Sequence, residues 1–323
     1  MLLLFTDTHF DDNPDNEYRW DVFDGIHHLL SERPVTHVYH LGDICDRKDR
    51  FTGAFVNRLL TKMREVGERT PLTVLRGNHD NPLNGPAYFT FVNGLLPGVD
   101  YVTEPQVRGK LALLPFSPDP KKDWEDIPFR NLLAAFMHIT VTGAIAENGR
   151  EMVGQDPSGL PRALKLYSGD IHNPQTLRNL TYVGCPHPVK FGDAFPCRML
   201  LLDEVDFSIV GEVELTPPRK RVLTLTSLQD LEKVEVTAGD QVRIRFDLDP
   251  TQIEDWGAIE ARLEAWASEV GVAVAGIEGI VAGRTSQSEV DPETTPEALL
   301  KQFAQEEGIS KGLLEVGLAL LEE

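Results

Sequence analysis

Five short strings along the chain combine aspartate, histidine and glycine. In order they are "DTH" (Asp7, His9), "GDICDR" (Gly42 to Arg47), "GNHD" (Gly77 to Asp80), "MHITVTG" (His138) and "GDIH" (Asp170, His172). Each follows a short apolar stretch of strand-like composition, so all five can sit on loops at one sheet edge. Imidazole nitrogens and carboxylate oxygens are the side-chain donors that hold divalent first-row cations. A carboxylate able to bridge two ions, with histidine and carboxylate ligands on either side, suits two metals about 3.5–4 Å apart. Such a pair lowers the pKa of a water between the ions and neutralises charge developing on a phosphoryl group. The chemistry these residues predict is therefore phosphoester hydrolysis. One string alone is weak, since an isolated Asp-x-His is common by accident. "GNHD" is more specific, because glycine permits a tight turn from which the next polar residues project together. The ordered set of five predicts the metal site.

The remaining histidines read differently. His37 and His40 alternate along a strand, and His27 and His28 lie on a helix, so packing or surface roles are expected. His187, in "GCPHPVKFG", reads equally as a loop residue or a substrate contact.

The elements that must position these strings alternate over the first two-thirds of the chain. "LLLFTD", "VTHVYHLGD" and "PLTVLRGNHD" read as strands that end in polar loops. "YRWDVFDGIHHLLSE" places Trp20, Phe23, Ile26 and Leu30 on one helical face, and "GAFVNRLLTKMREVG" reads as the next helix, closed by Gly67 in a C′ role. After Val99 the pattern is mostly β, from "KLALLPF" to "RMLLLDEVDFSIVGEVEL". This succession predicts an α/β class chain, a sandwich whose strands deliver functional loops at their carboxyl ends. Paired prolines in "TPPRKR" (Thr216 to Arg221) mark a domain boundary. Beyond it lies a small β-β-α-β module whose helix is expected from Thr251 to about Val270, started by a Thr251/Glu254 capping box. Thr295-Pro296 opens a final helical pair.

With 323 residues, 41% hydrophobic and 25% charged, the chain suits a soluble protein of about two domains. It has no apolar run near the roughly 20 residues of a membrane span. Cys45, Cys185 and Cys197 are widely spaced, with no CxxC, which fits a reducing cytoplasm better than a disulfide framework. The net charge of −20 argues on its face against a nucleic-acid partner, but residues 222–323 hold 21 acidic against 7 basic side chains. The first two-thirds is closer to neutral and carries basic clusters such as Arg47, Lys48 and Arg50. Bulk charge does not decide the substrate.

At these strings the chain resembles the calcineurin-like metallophosphoesterases, and more narrowly the SbcD-type DNA nucleases that partner SbcC-type ATPases. The narrower likeness rests on the order of the motifs and on "LTYVGCPHPVKFGD", where that family carries a Tyr-x-Gly-Ser-Pro-like segment. It rests also on the small C-terminal module, which resembles the family's capping domain. It covers most of the chain, strongly to about residue 200, and is nearer to phage-encoded versions than to cellular ones.

The resemblance implies a two-sheet α/β sandwich nuclease domain over residues 1–217, a capping domain over 218–292 and a helical tail over 293–323, with the ATPase as the tail's candidate partner. The alternative for the tail is that it folds back on the capping module or on a second copy of itself. It implies one metal held by Asp7, His9 and His172, with Asp43 bridging, and a second held by Asp43, Asn78, His138 and Asp170. His79 would face the phosphate and stabilise or protonate the leaving oxygen, Asp46 would orient His79, and Arg47 would bind phosphate. Family members usually carry histidine where this chain has Asp170. Aspartate is a competent ligand for a hard cation, and as an anionic oxygen donor it favours Mn²⁺ or Mg²⁺. The expected cofactors are two divalent ions, Mn²⁺ first. The expected activity is exonuclease and endonuclease cleavage of DNA in a repair or recombination complex. The alternatives are a small-nucleotide phosphodiesterase or phosphoprotein phosphatase on the same scaffold, and a non-catalytic scaffold subunit for an ATPase. Expected partners are DNA, an SbcC-type ATPase and a second copy of the chain, met through the helix from Arg58 to Val66 or through "AYFTFVNGLL".

Overall fold

The computed structural model describes residues 1–48, 50–81, 87–281 and 300–301. Along the first part run β1 (Leu2–Phe5), α1 (Asp21–Glu32), β2 (His37–His40), α2 (Gly53–Gly67), β3 (Leu72–Leu75) and β4 (Val99–Val102). There follow β5 (Gln106–Arg108), β6 (Leu111–Leu114), α3 (Pro120–Asp123), β7 (Ala134–His138) and β8 (Lys165–Gly169). β9 (Gln175–Leu177), β10 (Leu180–Tyr182), β11 (Arg198–Leu202) and β12 (Ile209–Glu214) complete this part.

Two six-stranded mixed sheets result, in the orders β12-β11-β1-β2-β3-β4 and β5-β6-β7-β8-β10-β9. In the first, β1 to β4 are parallel and β11 and β12 add an antiparallel edge. In the second, β6, β7, β8 and β10 are parallel, with β5 and β9 antiparallel at the two edges. A strand buried on both faces must be apolar at every position, which is why β1 reads Leu-Leu-Leu-Phe without alternation. Its side chains still point alternately. Leu2 and Leu4 join Tyr39, Phe136 and Tyr167 in the core between the sheets, while Leu3 and Phe5 pack under α1 and α2. Trp20, Phe23 and Ile26 form the buried face of the first helical region, with Leu30 partly buried beside them. This is the α/β sandwich expected from the sequence, and it sets the carboxyl ends of five parallel strands at one edge.

A third sheet follows, made of β13 (Lys220–Leu225), β14 (Gln241–Leu248) and β15 (Ala273–Val281), all parallel and backed by α4 (Trp256–Val270). It has its own core, with Val242, Ile244 and Phe246 against Ile259, Leu263 and Trp266. Two local expectations are corrected. α4 starts at Trp256 rather than Thr251, because Asp249 and Gln252 form the capping box of a separate short 3₁₀ turn opened by Pro250. Thr251 caps nothing itself: its main-chain N–H and its hydroxyl both donate to Asp249 Oδ1, at 2.9 and 2.6 Å. Gly67 is not a left-handed cap either, since it is the last residue of α2 with αR Glu68 after it. It is glycine for close approach: a Cβ there would lie 2.7 Å from Val99 Cγ2 and 2.9 Å from the Pro97 carbonyl. The expected helical pair near the C-terminus lies outside the described residues apart from 300–301, which are helical. Among the described residues no helix is long and apolar enough to cross a membrane.

Phe136 is fully buried between the sheets, edge-on to Tyr39, Tyr167 and Phe207. Phe136→Ala is expected to cost about 3–5 kcal/mol in urea unfolding, the range for an unrelaxed aromatic cavity. A loss under 1 kcal/mol would mean that the sandwich core is not packed as described.

Candidate metal centre

The five strings converge. Past β1 the chain stays paired to the loop after β2: Asp7 N donates to the Gly42 carbonyl at 3.0 Å and His9 N to the Asp43 carbonyl at 3.0 Å. The second sheet joins through His138, at the end of β7, whose Nδ1 lies 2.8 Å from the Leu41 carbonyl. Asp170, just past β8, donates its main-chain N–H to both Asp7 oxygens, at 3.1 and 3.2 Å. Asp7, His9, Asp43 and Asp170 all have left-handed backbone, with φ of 53°, 43°, 57° and 80°. Such a conformation costs a non-glycine residue about 1–3 kcal/mol and persists where surrounding structure over-determines it. Two glycines let the loops close up. A Cβ on Gly77 would lie 2.1 Å from Asp43 Oδ1, and one on Gly169 would lie 2.2 Å from Thr6 Oγ1 and 2.8 Å from His138 Nδ1.

The donor atoms face one another. Asp7, His9 and His172 bring one ligand atom each within 4.8 Å of the others, as do Asp7, Asp43 and His138. His9 Nε2 is 3.1 Å from His172 Nε2 and 3.7 Å from Asp43 Oδ2. His138 Nε2 is 3.4 Å from Asp43 Oδ1 and 3.8 Å from Asp170 Oδ1. The Asn78 amide lies between them. Turned one way its nitrogen donates to the Asp43 oxygens at 2.9 and 3.0 Å. Turned the other way its oxygen faces His138 Nε2 at 3.1 Å. Asp43 thus stands between two groups of donors, and Asp170 lies on the His138 side with Thr140 donating to its other oxygen. Asp7 belongs to both groups, whereas the resemblance assigns it to one.

Burial sets the electrostatics. It pushes the Asp7 carboxyl up to about 7 against the opposing pull of His138. Burial would also raise Asp43, but His138 and His9 more than offset it and hold that carboxyl below the ordinary range. His172 is pushed down to about 3 by burial and by His9, so its ring is neutral and ready to ligate. Its Nδ1 is buried without a hydrogen-bond partner among the described residues. Burial would lower His9 and His138 too, but Asp46 and Asp43 for the first and Asp43 for the second more than offset it and raise both rings, whose protons a cation would displace. Converging carboxyl oxygens and imidazole nitrogens are a donor set that fits divalent cations.

The other expected site residues stand around this cluster. His79 lies beside His9, ring centroids 4.8 Å apart, with Nδ1 2.8 Å from the Asp46 carbonyl. A carbonyl only accepts, so Nδ1 carries the proton in this contact and the ring's other nitrogen is Nε2. Asp46 therefore meets His79 through its main chain, while its carboxylate lies 3.4 Å from His9 Nδ1. Those three residues also bring ligand atoms within 4.8 Å of one another. The Arg47 guanidinium is more than half exposed and lies 3.9 Å from Asp12 rather than on a donor atom. His40 and His187 are buried and structural, the first on the Thr8 hydroxyl at 2.9 Å and the second on the Thr8 carbonyl at 2.8 Å.

Sequence reasoning gave no role to Asp80, the last residue of "GNHD". Fully buried, it accepts main-chain N–H groups from Gly77 (2.7 Å), Asp43 (2.9 Å), Ile44 (3.0 Å) and Cys45 (3.2 Å). It thereby fixes the loops that carry Asp43 and Asn78 to each other. The available signal was the acidic residue that ends the Gly-turn string "GNHD". Arg19, which donates to the His9 carbonyl, had no such signal.

Residues 1–187 match the calcineurin-like phosphoesterase family, and the chain belongs to it. The family's members are metal-dependent phosphoesterases, in keeping with the donor cluster. None of the curated proteins matches the chain. Among solved structures it is similar to the Pseudomonas putida nuclease MPE, with 18% identity and a TM-score of 0.28. That likeness spans 55% of this chain and 64% of the other, less than two-thirds of its length.

Asp80→Asn would set an amide N–H₂ against main-chain N–H donors. The variant is expected to lose about 1–3 kcal/mol in urea unfolding, the cost of a buried unsatisfied group, and to bind Mn²⁺ more weakly by calorimetry. Unchanged stability and affinity would remove Asp80 from this account.

Proposed function

We propose that the chain is a Mn²⁺-dependent DNA phosphodiesterase, exonucleolytic with endonuclease activity, and the nuclease subunit of an SbcCD-type complex. The observation that carries the hydrolytic part is the cluster of donor atoms around Asp43, with His79 held beside it by the Asp46 carbonyl. When bound, two cations would polarise the scissile phosphodiester and supply a nucleophile at neutral pH. Asp7, His9, His172 and Asp43 would hold the first, and Asp43, Asn78, His138 and Asp170 the second. The chain's own residues do the rest. The attacking water gives up a proton to solvent as its oxygen forms a P–O bond, and the P–O bond to the leaving sugar oxygen breaks. His79, as imidazolium, gives its Nε2 proton to that oxygen. Arg47, exposed close by, contacts a phosphate of the substrate.

DNA rather than a small nucleotide is supported by the resemblance in "LTYVGCPHPVKFGD" and by the third sheet. That module seats β13 and β14 against the segment following the Asp7–His9 loop, through Lys220 and Gln241. Contacts to the phosphates and sugars of DNA carry no base specificity, so none is expected. The ATPase partner and the homodimer rest on the resemblance. For the dimer, the stretch "AYFTFVNGLL" is the better surface, since Phe91 and Leu95 are about half exposed.

His79→Ala is expected to cut Mn²⁺-dependent cleavage of linear DNA by about 10²–10⁴-fold, the usual contribution of a general acid, while calorimetry still counts two metals. Loss of one metal in that variant would make His79 a ligand instead. A chromogenic phosphodiester run beside the DNA separates the readings: turnover of the small ester without DNA cleavage favours the small-nucleotide enzyme, and turnover of neither favours a scaffold.

Deleting residues 294–323 is expected to leave cleavage of short DNA intact and to abolish stimulation by ATP with an SbcC-type partner. Co-purification of the truncated chain with that ATPase would place the docking surface elsewhere.

A further inference from the structure

The third sheet reaches the metal-ligand loop by way of the 3₁₀ turn Pro14–Trp20, and it also touches the Val189–Gly192 stretch, where Gly192 N donates to the Lys220 carbonyl at 3.0 Å. Lys220 and Gln241 are register partners on β13 and β14, and both reach the turn. Gln241 donates to the Asp15 carbonyl. Lys220 donates its ammonium to Asn16 Oδ1 at 2.6 Å, with the Val189 carbonyl at 3.5 Å and the rings of Tyr18 and Phe191 beside it. Lys220 is only 6% exposed. An ammonium is costly to bury, and its hydrogen bonds must hold it in one place.

From Asn16 the contacts continue inward. Its Nδ2 donates to Asp11 Oδ2 at 2.6 Å, and the same oxygen lies 3.5 Å from Arg19 Nη1. That guanidinium nitrogen donates to the carbonyl of His9. Asn16, Asp11 and Arg19 are all buried, so water does not readily substitute for any link. The last link acts on a residue with φ of 43°, whose ring nitrogen faces His172 and Asp43.

We infer that Lys220 is a positioning residue for His9, acting from the third sheet through Asn16, Asp11 and Arg19. Without its ammonium, Asn16 Oδ1 loses a charged donor and the amide is free to turn away from Asp11. Asp11 then keeps Arg19 as its remaining side-chain partner and draws the guanidinium from the His9 carbonyl. The left-handed peptide at His9 loses part of what over-determines it, and the imidazole leaves its place among the donors. Seating of the module is in this way linked to the metal group that contains His9, and not to the group around His138.

The inference rests on the metal-centre reading, and the test separates the two. In the full chain, Lys220→Met is expected to weaken Mn²⁺ binding at one of two sites about 10-fold by calorimetry, as changes behind a metal ligand commonly do. The second site should hold its affinity. Gln241→Met, which removes the other contact of the module with the same segment, should leave both sites within twofold of wild type. Lys220→Arg, which keeps charge and donor, should retain most of the affinity. In metal-free protein the His9 ring resonances, assigned with His9→Asn, should move in Lys220→Met and stay in Gln241→Met. If Lys220→Met does not fold, Asn16→Ala replaces it under the same criteria. Equal losses in the Lys220 and Gln241 variants, or unmoved His9 resonances, would overturn the inference. A wild-type chain that binds no Mn²⁺ would instead overturn the proposed function, and the His9 resonances would still decide the relay.

Discussion

The rest of the molecule depends on a concentration of buried electron pairs. Asp7, Asp43 and His138 are almost wholly removed from water, His9 and His172 nearly so, and their donor atoms point inward at each other. Left as they are, groups so placed shift their protonation: burial first, and then the nearby Asp43 carboxylate, raise Asp7 to about 7. Cations turn the same arrangement from a liability into a binding site. The surrounding structure reads as a means of holding the donors in place: two sheets that end together, left-handed backbone at four donor residues, and glycines where a Cβ would strike a donor.

Around this centre the polar groups form a second layer with a division of labour. Asp80 collects main-chain N–H groups and fixes the loops that carry Asp43 and Asn78. The Asp46 carbonyl sets the tautomer of His79 while its carboxylate faces His9, so one residue serves two imidazoles. Thr140 holds Asp170 toward His138. Where the family usually has histidine, this chain has a shorter anionic donor. The short side chain is compatible with Asp170 being drawn inward by its own main-chain N–H, shared between the two Asp7 oxygens, and by its positive φ.

How much of this could be read from the residues alone follows from how local each signal is. The strands were legible because an element buried on both faces must be apolar throughout, as in Leu2 to Phe5. The donor strings were legible because each lies within a few residues of a strand end. The start of α4 was misjudged because Thr251 and Glu254 have capping-box spacing, while the stronger signal, Asp249-Pro250, opens a separate turn. Gly67 was misjudged because its role is set by Val99, thirty-two positions away in sequence. Asp80 closes the string "GNHD", but its partners from Asp43 to Cys45 come near only on folding. Arg19 and Lys220 likewise act through partners that no periodicity or motif announces.

The most direct measurement is the anomalous scattering of a crystal grown with Mn²⁺. The account predicts two peaks, with Asp43 oxygens between them and His9 and His172 on one ion. Asp170 should lie within about 2.0–2.2 Å of the other ion, the one nearer His138. A single peak, or two peaks with Asp170 turned away from both, would contradict it.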